Sequence, residues 1–316
     1  MIDLIADIGG TNTRCALVED GARITAVREL RNSRFSGLSE VLLHYLAEVG
    51  RPQRLRHAAL SVAAPILTDQ VHMVNIDWAF SRTSLARTLG VERLFVVNDF
   101  TAIAWALLRL KPTDLATLSD GLAQPRASRI VLGPGTGLGT GVLVPTDNGG
   151  WIAVAAEGGH ATLAAANDRE AEVISAARRR VGHVSAERLI SGPGLALLYS
   201  VLAEVEDASV GERSPAEITA LARQGDAHAL ATLGMFFELL ATFASNLALS
   251  VSAHGGIYLG GGILPRVLDL LQASGFNERF IDKGRYRDFL QRMPVYVITH
   301  EYPAFPGLVQ VLSGSR

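Results

Sequence analysis

The chain has 316 residues, 48% of them hydrophobic and 19% charged, which is enough apolar mass for two packed domains and excludes a disordered protein. A formal net charge of −2 offers no basic field for nucleic acid, and a single cysteine, Cys15, excludes disulfides within the chain and any multi-cysteine zinc site. The longest apolar stretches are broken by charge or glycine well short of the roughly 20 residues a bilayer span needs, and Met1-Ile2-Asp3 opens directly into a strand, so a cytoplasmic protein with no membrane partner is expected.

Leu4-Ile5-Ala6 reads as a short strand, Asp7-Ile8-Gly9-Gly10-Thr11-Asn12 as a turn and Cys15-Ala16-Leu17-Val18 as a second strand, forming a hairpin around a glycine pair. Successive N–H groups around such a turn, with the Thr11 hydroxyl, can hold phosphate oxygens, while a carboxylate at Asp7 can hold a metal's water shell. An ordinary hairpin turn is the competing reading, because glycine and asparagine are common turn residues. No G-x-x-x-x-G-K-[ST] phosphate loop occurs anywhere. A third strand follows around 24–27, a helix over 38–49 and a buried strand over 58–62; Asn75, Asp77 and Trp78 form a polar-aromatic segment that can edge a cleft, with a packed tryptophan in a connecting loop as the favoured role for Trp78.

After a helix over 84–89, the apolar run Leu94-Phe95-Val96-Val97 leads straight into Asn98-Asp99 and the helix-like 102–108. That is a parallel strand feeding a helix, with Asn98 and Asp99 at the carboxyl end, where ligands of open α/β sheets collect. A role for either residue as a simple helix cap stays equally open. Past a strand over 129–132, glycine falls on alternate positions, Gly133, Gly135, Gly137, Gly139 and Gly141, and strand-like Val142-Leu143-Val144 follows. At an offset of 126 positions Gly9 meets Gly135, Leu17 meets Leu143 and Val18 meets Val144, a weak internal repeat in which each half contributes a phosphate turn.

Val154-Ala155-Ala156 ends in Glu157-Gly158-Gly159-His160, a carboxylate and an imidazole whose intervening glycines let both turn into one pocket, as a polyol with several hydroxyls requires. Zinc on His160, His183 and Glu187 is the rival reading, without an H-E-x-x-H motif or a cysteine behind it. Helices are expected over 168–180, 215–223 and 227–250; Glu187, between them, can equally be a helix-start carboxylate. The strand Ile257-Tyr258-Leu259 runs into Gly260-Gly261-Gly262 just before a helix over 266–273, so a flat ring can lie against bare backbone there; packing alone explains one such glycine rather than three. A last strand over 295–298 and a helix over 305–312 close the chain.

In this order and at these spacings, Asp-Ile-Gly-Gly-Thr-Asn, the strand-end Asn-Asp, Gly-Pro-Gly-Thr-Gly-Leu-Gly, Glu-Gly-Gly-His, Ser191-Gly192-Pro193-Gly194 and Leu-Gly-Gly-Gly-Ile closely resemble bacterial glucokinase, a hexokinase-like branch of the actin/Hsp70/sugar kinase superfamily. The resemblance implies an α/β fold of two ribonuclease-H-like (actin-like ATPase) domains around a central cleft, residues 1–108 completed by 301–316, and residues 109–300. It implies Asp99 as general base, with Asn98, Asp99, Glu157, His160 and Glu187 on the sugar hydroxyls. Ala6, Asp7, Ile8, Gly9, Gly10, Thr11 and Asn12, with Gly135, Thr136 and Gly137, would hold ATP phosphates, Gly260, Gly261 and Gly262 would lie near adenosine, and Asp7 would reach Mg2+ through water. The activity implied is transfer of the γ-phosphate of ATP to the 6-hydroxyl of D-glucose; a kinase for another hexose or amino sugar and a sugar sensor without catalysis are the alternatives. With one cysteine the chain resembles the zinc-free branch rather than the ROK kinases, and its long apolar helix leads to an expected homodimer.

Overall fold

A computed structural model describes residues 2–50 and 55–314. The described residues fall into two units, one from Met1–Lys111 with His300–Arg316 and one from Pro112–Thr299. In chain order the first contains β1 (Ile2–Ile8), β2 (Asn12–Glu19), β3 (Arg23–Arg31), α1 (Leu38–Glu48), β4 (Leu55–Val62), the short hairpin β5 (Gln70–His72) and β6 (Ala79–Ser81), α2 (Arg82–Leu89), β7 (Arg93–Asn98) and α3 (Asp99–Ala106). The C-terminal helix Ala304–Ser313 belongs to the same unit.

Its sheet runs β3-β2-β1-β4-β7, with β1 antiparallel to β2 and parallel to β4, and β4 parallel to β7. The strand period of two explains why β1 is apolar on both faces. Leu4, Ala6 and Ile8 join the core containing α1 residues Leu42 and Tyr45, whereas Ile5 joins Ala102 of α3 and Phe305 and Leu308 of the C-terminal helix. Helix and helix meet there backbone to backbone: a Cβ on Gly307 would fall 1.8 Å from the Ala102 carbonyl oxygen. Trp78, 7% exposed, sits in the first of these cores.

The second unit carries β8 (Leu115–Ser119), β9 (Arg129–Pro134), β10 (Leu138–Pro145), β11 (Trp151–Ala156), α4 (Asp168–Val181), α5 (Ala186–Leu189), α6 (Gly192–Val205), α7 (Pro215–Arg223), α8 (Ala227–Val251), β12 (Ile257–Leu259) and β13 (Val295–Ile298). Its sheet order is β11-β10-β9-β12-β13-β8. Except for β8, an antiparallel edge strand, this repeats the first sheet: β9 pairs antiparallel with β10 and parallel with β12, as β1 does with β2 and β4. Register corrects the repeat read from sequence. Ile8 pairs with Thr13 across the first turn and Pro134 with Leu138 across the second, so the second turn is one residue shorter. Beyond it the offset is 125, and Leu17 and Val18, opposite Leu4 and Asp3, answer to Val142 and Leu143, opposite Ile130 and Arg129.

Two further expectations need correcting. Helix α8, at 25 residues, is long and apolar enough by composition to cross a bilayer, contrary to the reading that no stretch qualified; 67% of its most apolar 18-residue window is buried inside the protein, where Phe236, Leu239, Leu240 and Ala244 form core. The helix expected over 266–273 is instead a 3-10 turn, Leu264–Val267, with Pro265 in its first turn, followed by the five-residue helix Leu268–Gln272.

Candidate active site

In the first unit strand register sets a row of side chains across the sheet: Arg14 on β2, Asp7 on β1 and Ser61 on β4 are direct neighbours. The Ser61 hydroxyl donates to Asp7 Oδ1 at 2.5 Å, and Arg14 Nη1 lies 3.7 Å from Asp7 Oδ2. Burial pushes the Asp7 carboxyl above the ordinary range, opposed by the Ser61 bond and then by Arg14. One residue further along, Ile8, Val62 and Asn98 align, so Asn98 and Asp99 emerge at the carboxyl end of β7. Asn98 does cap α3: its Oδ1 accepts from the N–H groups of Phe100 at 2.9 Å and Thr101 at 3.2 Å. Its amide nitrogen has no partner among the described residues and can still donate to a ligand. Asp99, half-buried in the first turn of α3, accepts from the Phe100 N–H at 2.9 Å.

The Gly9–Asn12 turn closes through Gly9 N–H to the Asn12 carbonyl at 3.0 Å. Asn32, 2% exposed, braces it: Nδ2 donates to the Gly9 carbonyl at 2.8 Å, the backbone N–H donates to the Thr11 carbonyl at 2.9 Å, and Oδ1 accepts from the Thr13 hydroxyl at 2.8 Å. The N–H groups of Gly10 and Thr11 have no acceptor among the described residues, which leaves two adjacent donors for an anion. Asn75 lies over this turn, since a Cβ on Gly10 would fall 2.8 Å from the Asn75 Cβ.

The second unit builds its turn in the same way. Gly135 N–H donates to the Gly137 carbonyl at 2.8 Å, the Gly135 carbonyl accepts from Gly192 N–H at 2.8 Å, and the N–H groups of Thr136 and Gly137 have no acceptor among the described residues. Ser191 caps α6 by accepting from Gly194 N–H at 3.0 Å, which holds Gly192 at the helix start. Glu187 sits in the first turn of α5, yet its carboxylate leaves that helix to accept from Leu138 N–H at 2.8 Å. Its other oxygen lies 4.0 Å from His160 Nδ1. Thr140 pins the adjacent segment, donating to the Ala156 carbonyl at 3.1 Å and accepting from Gly158 N–H at 3.0 Å. Gly159 must be glycine, because a Cβ there would meet the Leu138 carbonyl at 2.0 Å. Glu157 and His160 are therefore exposed side chains on a fixed backbone. His183 contacts the Thr162 hydroxyl at 2.9 Å, and no three His, Cys, Asp or Glu side chains among the described residues are grouped to hold a metal, so the zinc set is not assembled.

The three successive glycines have mixed causes. Gly260 N–H bonds the Leu132 carbonyl at 2.8 Å, and a Cβ on Gly133 would fall 2.3 Å from the Gly260 backbone. Gly261, at φ +83°, would place a Cβ 2.3 Å from the Pro134 carbonyl. Close packing on β9 thus dictates Gly261, the one glycine expected; a Cβ on Gly260 itself would make only ordinary contacts at 3.8 Å, and Gly262 faces open space. Asn32 and Gly192 went unrecognised as braces; a lone asparagine after a strand carries no signal of a bond to a turn 23 residues earlier.

Two sheets of the same order, each with a glycine turn offering paired free N–H groups, define the sugar-kinase class with the actin-like ATPase fold. The chain belongs to the glucokinase family, whose model matches residues 4–314. It is 44% identical to the glucokinase of Chromobacterium violaceum over 98% of this chain and 89% of that protein. It also spans about half the length, 48%, of the bifunctional protein glk of Paraburkholderia xenovorans, at 42% identity. A solved glucokinase from an Antarctic psychrotroph, 35% identical, superimposes with a TM-score of 0.90 over 99% of both chains. The expected separation from ROK kinases does not extend to the fold: a ROK glucokinase from Streptomyces griseus, solved with glucose and AMPPNP, matches with a TM-score of 0.65 at 19% identity over 98% of this chain and 99% of that one.

Proposed function

We propose that this chain transfers the γ-phosphoryl group of ATP to the 6-hydroxyl of D-glucose, giving glucose 6-phosphate and ADP. The observation that carries the reading is the pair of carboxylates at the carboxyl ends of parallel strands in one sheet: Asp7 beside a turn with two free N–H groups, and Asp99 beside the free amide of Asn98. Relatedness to the Chromobacterium violaceum glucokinase supports the same reading.

Asp99 is the general base. Its carboxylate orients the 6-hydroxyl and takes its proton as the O6–Pγ bond forms and the bond from Pγ to the bridging oxygen of ADP breaks. The base need not be strong, since the transition state of phosphoryl transfer is loose and catalysis lies mostly in positioning and charge. The Asn98 amide donates to a sugar hydroxyl, and Glu157, His160 and Glu187 bind others, with Glu187 held in place by Leu138 N–H. The N–H groups of Gly10, Thr11, Thr136 and Gly137 hold phosphate oxygens, and Gly262 offers open backbone for the adenosine. Magnesium would be held through its water shell by Asp7, which fits the role as a half-buried carboxylate whose charge is offset only in part by Ser61 and Arg14. The ion would supply positive charge to the phosphates.

The test is a coupled assay of ADP release with MgATP over glucose, mannose, fructose, N-acetylglucosamine and no sugar. Turnover highest with glucose supports the reading. Preference for another sugar moves the chain to that substrate, and turnover independent of sugar overturns it.

A further inference from the structure

We propose that Asn32 is a positioning residue for phosphate binding, acting by holding the Gly9–Gly10 peptide in one of its two orientations. This rests on the reading of Gly9–Asn12 as a phosphate turn. In a trans peptide the C=O and the following N–H point in opposite directions. Tying the Gly9 carbonyl to the buried Asn32 amide at 2.8 Å therefore turns Gly10 N–H away from the core, where it has no acceptor among the described residues. A peptide between two glycines is the one most free to rotate, because neither side has a Cβ to restrict it. Rotation would present a carbonyl oxygen to the phosphate in place of a donor.

The amide of Asn32 has a defined direction. The Gly9 carbonyl can only accept, which commits Nδ2 to it and leaves Oδ1 to accept from the Thr13 hydroxyl at 2.8 Å, and the Asn32 backbone N–H holds the Thr11 carbonyl as well. The second unit supplies an independent instance. The equivalent carbonyl, Gly135, is tied by a donor from outside its hairpin at the same 2.8 Å, this time the Gly192 N–H. Two unrelated donors thus anchor the same peptide of the same turn.

Asn32→Asp keeps size and the acceptor for Thr13, but as a carboxylate cannot donate to Gly9. The expected result is a KM for MgATP raised about tenfold, the scale of one lost hydrogen bond in a buried site, with the KM for glucose within about twofold of wild type. Because a protonated carboxyl can donate, the MgATP KM of Asn32→Asp should fall back toward the wild-type value, measured in parallel, as the pH is lowered; Asn32→Leu should show no such recovery. A general loss of packing would lower thermal stability and active fraction without this pH-dependent KM. Thr13→Val, isosteric and lacking the hydroxyl that orients Asn32, is the second probe should the Asn32 variants not fold, with an expected rise of about threefold. Gly10→Ala, which alters the turn itself, separates the two levels. A raised MgATP KM in Gly10→Ala with wild-type values in Asn32→Asp, or in Thr13→Val where that variant decides, overturns the role of Asn32. Wild-type values in all of them overturn the phosphate reading of the turn.

Discussion

Two glycines four residues apart are predicted to fail in different ways. A Cβ on Gly137 would lie 2.4 Å from Glu187 Oε2 and 3.2 Å from its Cδ, the movable end of a side chain. Gly137→Ala therefore displaces the carboxylate, which gives up its 2.8 Å bond from Leu138 N–H and its position 4.0 Å from His160 Nδ1. A hydrogen bond to a charged group contributes about 1.5–3 kcal/mol, but the Glu187 side chain is 31% exposed and water replaces part of it. The net loss of stability is about 1 kcal/mol, or a fall in Tm of about 2–4 °C for a domain of this size. The KM for glucose, by contrast, should rise about tenfold or more, because one ligand of the sugar is out of place. Gly133→Ala meets backbone instead, with the Gly260 carbonyl carbon and oxygen both at 2.3 Å, so β9 and the segment after β12 must part. That costs about 3 kcal/mol and lowers Tm well beyond Gly137→Ala. Thermal melts and glucose saturation curves on both variants decide the matter. A wild-type glucose KM in Gly137→Ala, or equal losses of Tm in the two variants, would refute the reasoning.

Gly307→Ala should destabilise the first unit by about 3 kcal/mol, since its Cβ would lie 1.8 Å from the Ala102 carbonyl of α3; a melt with an unchanged Tm contradicts this. Asp7→Asn should gain stability and lose function. The native Asp7 carboxyl is raised by burial, so its contribution to stability is complete below the unfolded carboxylate range and is lost as pH rises through the native value. At neutral pH the variant should therefore melt higher than wild type, the gap should close toward about pH 4, and MgATP-dependent turnover should be lost; a lower Tm at neutral pH counts against the burial argument. Asn98→Ala should remove the α3 cap, costing about 1 kcal/mol, and also raise the KM for glucose, whereas Asn98→Asp should recover the cap alone.

Much of this arrangement was legible in the sequence because local pattern and function coincide there. The apolar run into Asn98-Asp99 marks a parallel strand and its carboxyl end together, although β7 lies at the sheet edge with only Val96 buried, and Gly10 and Gly137 mark backbone that a Cβ would crowd. Reading failed where the cause lies across the fold. The repeat was misaligned after its turn because only pairing register shows that Pro134 to Leu138 is one residue shorter than Ile8 to Thr13. Gly261 owes its identity to Pro134 and Gly133 to Gly260, contacts between segments more than 120 positions apart. Strand β8, Leu-Ala-Thr-Leu-Ser, is too short and too mixed to announce itself, and becomes a strand by pairing with β13.

The central claim is that Asp99 is the base of a glucose phosphotransferase, and the most direct measurement pairs turnover with binding in Asp99→Ala. ADP release at saturating MgATP and glucose should fall by about two to four orders of magnitude, while calorimetry still detects glucose binding through the remaining side chains. Turnover near the wild-type rate in the folded variant would contradict the mechanism.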